Sequence, residues 1–204
     1  MNLMRRKLFQ SLGLLIGVYA LSSQQKVSAD GFQNAPRSPL QPLIKALRQT
    51  HKPVCLSVAE RLEKRSGPGE AFNLHLRSAN LDLSDAQLLA NSLTSIQQQV
   101  DLALNSFSVS YNPGIETGGA QALLSSLPEN VNEFGMVGCQ LGDDVGASLI
   151  SFMVRSSNLK MICVEDNFFS SSMKDQIATA GKKLAGCVTI VLSLIHISEP
   201  TRRS

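Results

Sequence analysis

The chain has no tryptophan, and its rings amount to 5% of 204 residues. Any core must therefore be filled by aliphatic side chains, leucine and alanine above all. No Cys-x-x-Cys pair occurs among Cys55, Cys139, Cys163 and Cys187, which argues against a zinc site. No Gly-x-Ser-x-Gly elbow marks a serine nucleophile. The glycine-rich run Gly114 to Gly119 lacks the Lys-Ser/Thr ending of a phosphate loop and reads as a turn. Away from the two ends only His51 and His75 are available as general bases, and a single histidine near Arg77 reads as a surface residue. Asp143-Asp144 suits a helix N-terminus. Glu165-Asp166 would hold a cation only if further ligands converged. No catalytic, cofactor or metal constellation is left, so a non-enzymatic protein is expected.

Charge of one sign is also missing once the ends are set apart. The formal charge is +3, but Arg5, Arg6, Lys7 and Lys26 lie in the first 29 residues, and Arg202, Arg203 and Glu199 lie in the last 13. Without them 13 basic and 15 acidic residues remain, a net −2. No nucleic-acid or anionic-membrane footprint survives.

Residues 1–29 carry the pattern of an export signal: a basic start, an apolar stretch from Leu8 to Leu21, and the small-residue site Val27-Ser28-Ala29. A stretch of 14 residues, diluted by Gln10, Gly13 and Gly17, is too short to span a bilayer comfortably, so no stable membrane span is expected after cleavage. Arg5-Arg6-Lys7-Leu8-Phe9 also resembles the core of a twin-arginine signal. A secreted, periplasmic or cell-envelope location follows, where the even cysteine count permits disulfides in three full pairings. At the other end, Leu192 to Arg202 resembles one reading frame of a transposon-end sequencing adaptor. Residues 192–204 are therefore expected to be a non-native tail, with the natural array interrupted near Val191.

What is present in quantity is a ladder. Leu104/Phe107/Val109/Asn112, Val131/Phe134/Met136/Cys139 and Leu159/Ile162/Val164/Asn167 align position by position, and Ala71/Leu74/Leu76/Ala79 is a looser first rung. Phe107 to Phe134 is 27 residues and Phe134 to Ile162 is 28, whereas Leu74 to Phe107 is 33. The excess falls in Ser95 to Val100, which would lengthen a helix. Ile162 plus 28 reaches Ile190, so Cys187 to Val191 reads as the start of a fifth strand. Alternation sends two side chains of each rung inward and the intervening ones outward. The Asn slot offers an amide to the backbone where the chain leaves the strand; Cys139 fills that slot once and is expected to be buried and reduced. After each rung comes a helix-period pattern with small residues (Asp85-Ala86, Gly119-Ala120, Gly146-Ala147) that would let helix approach strand. Before the rungs, residues 30–41 read as a linker. Pro42–Gln49 and Pro53–Arg65 read as two helices of an N-terminal cap over 42–66, ended by Ser66-Gly67-Pro68-Gly69.

The ladder, with Ser110-Tyr111-Asn112-Pro113-Gly114-Ile115 and Gly138-Cys139-Gln140-Leu141-Gly142, resembles the ribonuclease-inhibitor-like class of leucine-rich repeats over roughly residues 71–191, within a repeat region bounded at 67–191. The resemblance implies an α/β solenoid, here a horseshoe fragment, with parallel strands on the concave face and helices on the convex face. It implies a binding surface for a protein partner rather than a reaction. The outward strand positions proposed for that surface are His75, Arg77, Ser108, Ser110, Tyr111, Val137, Glu165 and Asp166, running from basic to acidic. Tyr111 is the aromatic anchor. The alternative is the substrate-recognition part of a larger enzyme or effector whose catalytic domain is lost with the interrupted end.

Overall fold

The computed structural model describes residues 38–65, 70–98, 103–156 and 158–191. The export signal, residues 30–37 of the linker, the Ser66–Gly69 break and the tail from 192 lie outside those residues. Two helices come first, α1 (Gln41–Gln49) and α2 (Pro53–Glu63), each with proline in its first turn, where the missing N–H breaks no bond. Leu43, Ile44, Ala46 and Leu47 of α1 and Cys55, Val58, Ala59 and Leu62 of α2 face inward. Leu40, read as linker, instead packs into the same core.

Strand and helix then alternate: β1 (Phe72–His75), α3 (Leu83–Gln97), β2 (Leu104–Ser108), α4 (Glu116–Ser126), β3 (Glu133–Gly135), α5 (Asp143–Arg155), β4 (Met161–Cys163), α6 (Ser171–Lys182) and β5 (Val188–Ile190). The five strands are parallel and lie side by side in chain order. Parallel neighbours need a crossover, and one helix supplies each. The helices pack in the same order, α1 on α3, α3 on α4, α4 on α5, α5 on α6. Alternation is sharp in β1: Phe72, Leu74 and Leu76 are buried, whereas Asn73, His75 and Arg77 are exposed; β2 breaks it with an extra residue at Asn105, so that Leu104 and Phe107 are both buried. One face of the sheet is thus covered by helices, and the other carries none among the described residues.

The spine runs Leu74–Phe107–Phe134–Ile162 across the first four strands. Phe107 and Phe134 stack at 6.1 Å, and Phe134 meets Phe152 of α5 at 5.3 Å. At 15 residues α3 is the longest helix described and takes up part of the long first step. The fifth rung departs from expectation. Thr189, not Ile190, sits opposite Ile162, and Ile190 sits opposite Cys163. The last step is 27 residues, as between Phe107 and Phe134. A shift of one residue exchanges the two faces of a strand, so Val188 and Ile190 are exposed while Val191 is buried.

The Asn slot does what the sequence suggested. Asn112 is fully buried; its Oδ1 accepts the Leu81 N–H at 3.0 Å, and its Nδ2 donates to the carbonyls of Leu76 and Val109 at 2.8 Å each and Ser110 at 3.2 Å. Asn167 repeats this two units later, accepting from Cys139 and Leu141 and donating to Met136, Val164 and Glu165. Cys139, buried and free, donates more weakly to Val109 and Val137. Just before this slot each turn places a residue in the left-handed region, Ser78, Tyr111, Gly138 and Asp166, with φ between 51° and 62°, and two turns add a second just after it, Asn80 and Gln140. That costs a non-glycine residue about 1–2 kcal/mol. The conformation is held by continued ladder bonds, Ser78 N–H to Ser110, Tyr111 N–H to Val137 and Gly138 N–H to Glu165. The small helix residues serve a different contact from the one expected. A Cβ on Gly119 would meet the Ala86 Cβ of α3 at 2.8 Å, and one on Gly146 would meet Met173 of α6 at 2.5 Å. They bring helix against helix, and Ala147 is exposed.

Candidate functional site on the bare face of the sheet

Strand pairing arranges the outward residues in rows. One row is Asn73, Ser106, Glu133, Met161, Val188; the next is His75, Ser108, Gly135, Cys163, Ile190. A third, in the turns, brings Ser110, Val137 and Glu165 together through the Val137 N–H to Ser110 Oγ bond at 3.1 Å and the ladder bonds already given. At the strand entrances the side chains of Asn73, Asn105 and Asn132 form a chain of amide bonds at 3.1 and 2.8 Å, which ties β1, β2 and the entry to β3 together.

The eight residues singled out from sequence do not share one environment. His75, Arg77, Tyr111 and Asp166 are exposed, and Ser108 and Glu165 are half-buried. His75 Nε2 lies 2.8 Å from Ser106 Oγ. The Arg77 guanidinium stacks over the Tyr111 ring at 4.2 Å, a cation–π contact. Gly138 of the next unit leaves room for that ring, since a Cβ there would come within 2.9 Å of it. Ser110 and Val137 depart from expectation: they are 3% and 5% exposed. Their side chains point to the bare face, but lateral neighbours cover them, and the Ser110 hydroxyl is used in accepting the Val137 N–H. They form floor, not contact surface.

Sequence reasoning passed over an apolar corner. Met161 is 41% exposed, Val188 54% and Ile190 37%. Alternation had already turned Met161 outward; Val188 and Ile190 were hidden by the assumed 28-residue step. Cys163 lies within this corner, and its thiol is pushed above the usual range by burial first, then by Glu165 and Glu133. The face therefore has a cationic, aromatic end at Arg77 and Tyr111 and an end where Glu133, Glu165 and Asp166 adjoin apolar side chains. Such a surface can recognise a ligand; the imidazole–hydroxyl pair on it, His75 with Ser106, has its hydroxyl on a buried residue.

A second concavity, of about 630 Å³, lies between α5 and α6 and is lined by Ile150, Met153, Val154, Ala180, Lys183 and Leu184 among others. Among the described residues, no group of three or more His, Cys, Asp or Glu side chains is placed to hold a metal ion, and no helix is long and apolar enough to cross a membrane. No protein-family model matches the chain, and no curated protein matches it significantly.

Proposed function

We propose that the chain is an exported, non-enzymatic protein-binding module. In this reading it is a leucine-rich-repeat solenoid similar to the ribonuclease-inhibitor-like class, and its strand face is the concave surface that meets a protein partner. The observation that carries the reading is the sheet face without a helical cover, on which exposed Tyr111, Met161, Val188 and Ile190 lie among charges of both signs. Large exposed apolar and aromatic groups with a polar surround are what interfaces use as anchors. Strand–helix units at 27–28 residues, with buried Asn112 and Asn167 stitching one unit to the next, support the repeat assignment. The basic, apolar and small-residue succession of residues 1–29 supports export.

The test is to pan a phage-displayed random peptide library against the full chain and map the selected peptides by hydrogen exchange. Binding through the strand face predicts protection in the turns that carry Tyr111, Gly138 and Asp166, and loss of binding in Tyr111→Ala. Peptides that protect only α5 and α6, or no selected peptide at all, would refute it.

A further inference from the structure

The two ends of the strand face differ in a way that constrains what can lie on them. Glu133 pairs laterally with Met161, and Met161, Cys163 and Glu165 follow one another on the same side of β4 and the turn after it. Asp166 is the next residue and is exposed. None of these three carboxylates takes part in an ion pair: those of the described residues are Arg48–Glu63, Lys52–Asp85 and Arg65–Glu70. Lys160, one residue before β4, pairs with none of them. One oxygen, Glu165 Oε2, is shut off from water and has no hydrogen-bond partner. A buried acceptor in that state is costly, and turning the half-buried Glu165 side chain out to meet an arriving donor removes the penalty. Two residues before Glu165 comes Cys163, opposite Ile190, and two before that Met161, opposite Val188; Met161, Val188 and Ile190 are exposed, and Val137 in the neighbouring turn is buried. At the opposite end Arg77 already supplies a cation, stacked on Tyr111, and would repel another.

We infer that the partner segment taken by this face carries an arginine or lysine flanked by apolar residues, and seats that cation on Glu133, Glu165 and Asp166 with the apolar neighbours on Met161, Val188 and Ile190. The inference rests on the protein-binding reading above and adds the chemistry and orientation of the partner. Positive charge at this end is selected by attraction to three unpaired carboxylates, and the reverse orientation is disfavoured by Arg77. The apolar flank is selected because polar residues there would lose water without gaining partners.

The probe is the set of twelve-residue peptides selected on the full chain, resynthesised and titrated by fluorescence anisotropy. Enriched sequences should place Arg or Lys between apolar residues, and binding should shield Cys163 from maleimide. Glu165→Gln combined with Glu133→Gln should weaken binding roughly tenfold, about 1.4 kcal/mol. Glu165→Lys should prefer the peptide whose basic residue is replaced by Glu. Neither carboxylate has an ion-pair partner among the described residues to lose, and a circular dichroism spectrum identical to that of the parent checks that the variants fold. Peptides that shield Cys163 but lack a basic residue, and ignore Glu165→Gln, overturn this inference and leave the protein-binding reading standing. Peptides that protect the Tyr111 turn but leave Cys163 fully reactive overturn this inference alone, whereas selection of no peptide, or only of peptides that protect α5 and α6, overturns both.

Discussion

Replacing Asn112 by alanine removes one carboxamide from a site with no solvent exposure. The amide oxygen holds the Leu81 N–H, and the two amide protons are shared among the carbonyls of Leu76, Val109 and Ser110. Alanine strands the Leu81 N–H and the Leu76 carbonyl, while the Val109 and Ser110 carbonyls keep the Cys139 thiol and the Ser78 N–H. A buried polar group without a partner costs about 1–3 kcal/mol, and the lost side-chain volume adds a small cavity. A total of about 4 kcal/mol follows, reduced if a water enters the space. That is a large share of the roughly 5–15 kcal/mol by which a domain is stable. For a folded region of this size it lowers Tm by about 10 °C. Urea unfolding followed by far-ultraviolet circular dichroism measures it. Asn112→Ala within about 0.5 kcal/mol of the parent would mean that the amide is not stitching β1's unit to β2's. The neighbouring unit offers an internal control. Cys139 occupies the same slot with only weak thiol bonds, so Cys139→Asn should raise stability by about 1 kcal/mol, and a loss would show that the slots are not equivalent.

Thiol chemistry should split the cysteines. Cys55 and Cys139 are buried and their thiols are pushed up in pKa, chiefly by burial. Cys163 and Cys187 are half-buried. Under native conditions Ellman's reagent should reach only the second pair; rapid reaction of Cys139 would place it at the surface. Gly119→Val pushes a branched side chain against the Ala86 Cβ and should cost about 1–3 kcal/mol in urea melts. Gly142→Ser, with open space and a helix N-cap position, should cost nothing; equal effects would contradict the helix spacing. Acid should weaken the fold. Asp82 is held below the usual carboxyl range by the Asp85 N–H and then by the Ser84 hydroxyl, and Asp143 by the hydroxyl and N–H of Ser170. Depressed folded-state values give stabilisation that is present above the unfolded pKa, about 3.9, and lost as pH falls through the folded ones. Asp82→Asn with Asp143→Asn should therefore flatten the acid limb of stability, and an unchanged limb would assign acid sensitivity elsewhere.

Much of this architecture was legible because its signals are local. Phe107, Phe134 and Ile162 are large, apolar and regularly spaced, so the spine could be counted. Asn112 and Asn167 marked the place where backbone groups need a partner. The features that escaped depend on lateral neighbours. Thr189 is a polar residue in a spine position, and counting preferred the more apolar Ile190 beside it; only strand pairing decides. Ser110 and Val137 point outward by alternation, yet their exposure depends on the strands on either side, which are 27 or more residues away in the chain. Gly119 and Gly146 were read against the strand because helix follows strand in sequence, whereas their close contacts are with neighbouring helices. The apolar corner at Met161, Val188 and Ile190 became visible only once the last strand's register was known.

The stack of strands is tested most directly by proton cross-relaxation in protein labelled on its phenylalanine rings and on its isoleucine and threonine methyls. The Phe134 ring should give cross-peaks to the Phe107 ring and to the Ile162 methyls, and Ile162 should give one to the Thr189 methyl. A Phe134 ring without those neighbours, or an Ile162 methyl in contact with Ile190 in place of Thr189, would contradict the spine and the face assignment that follows from it.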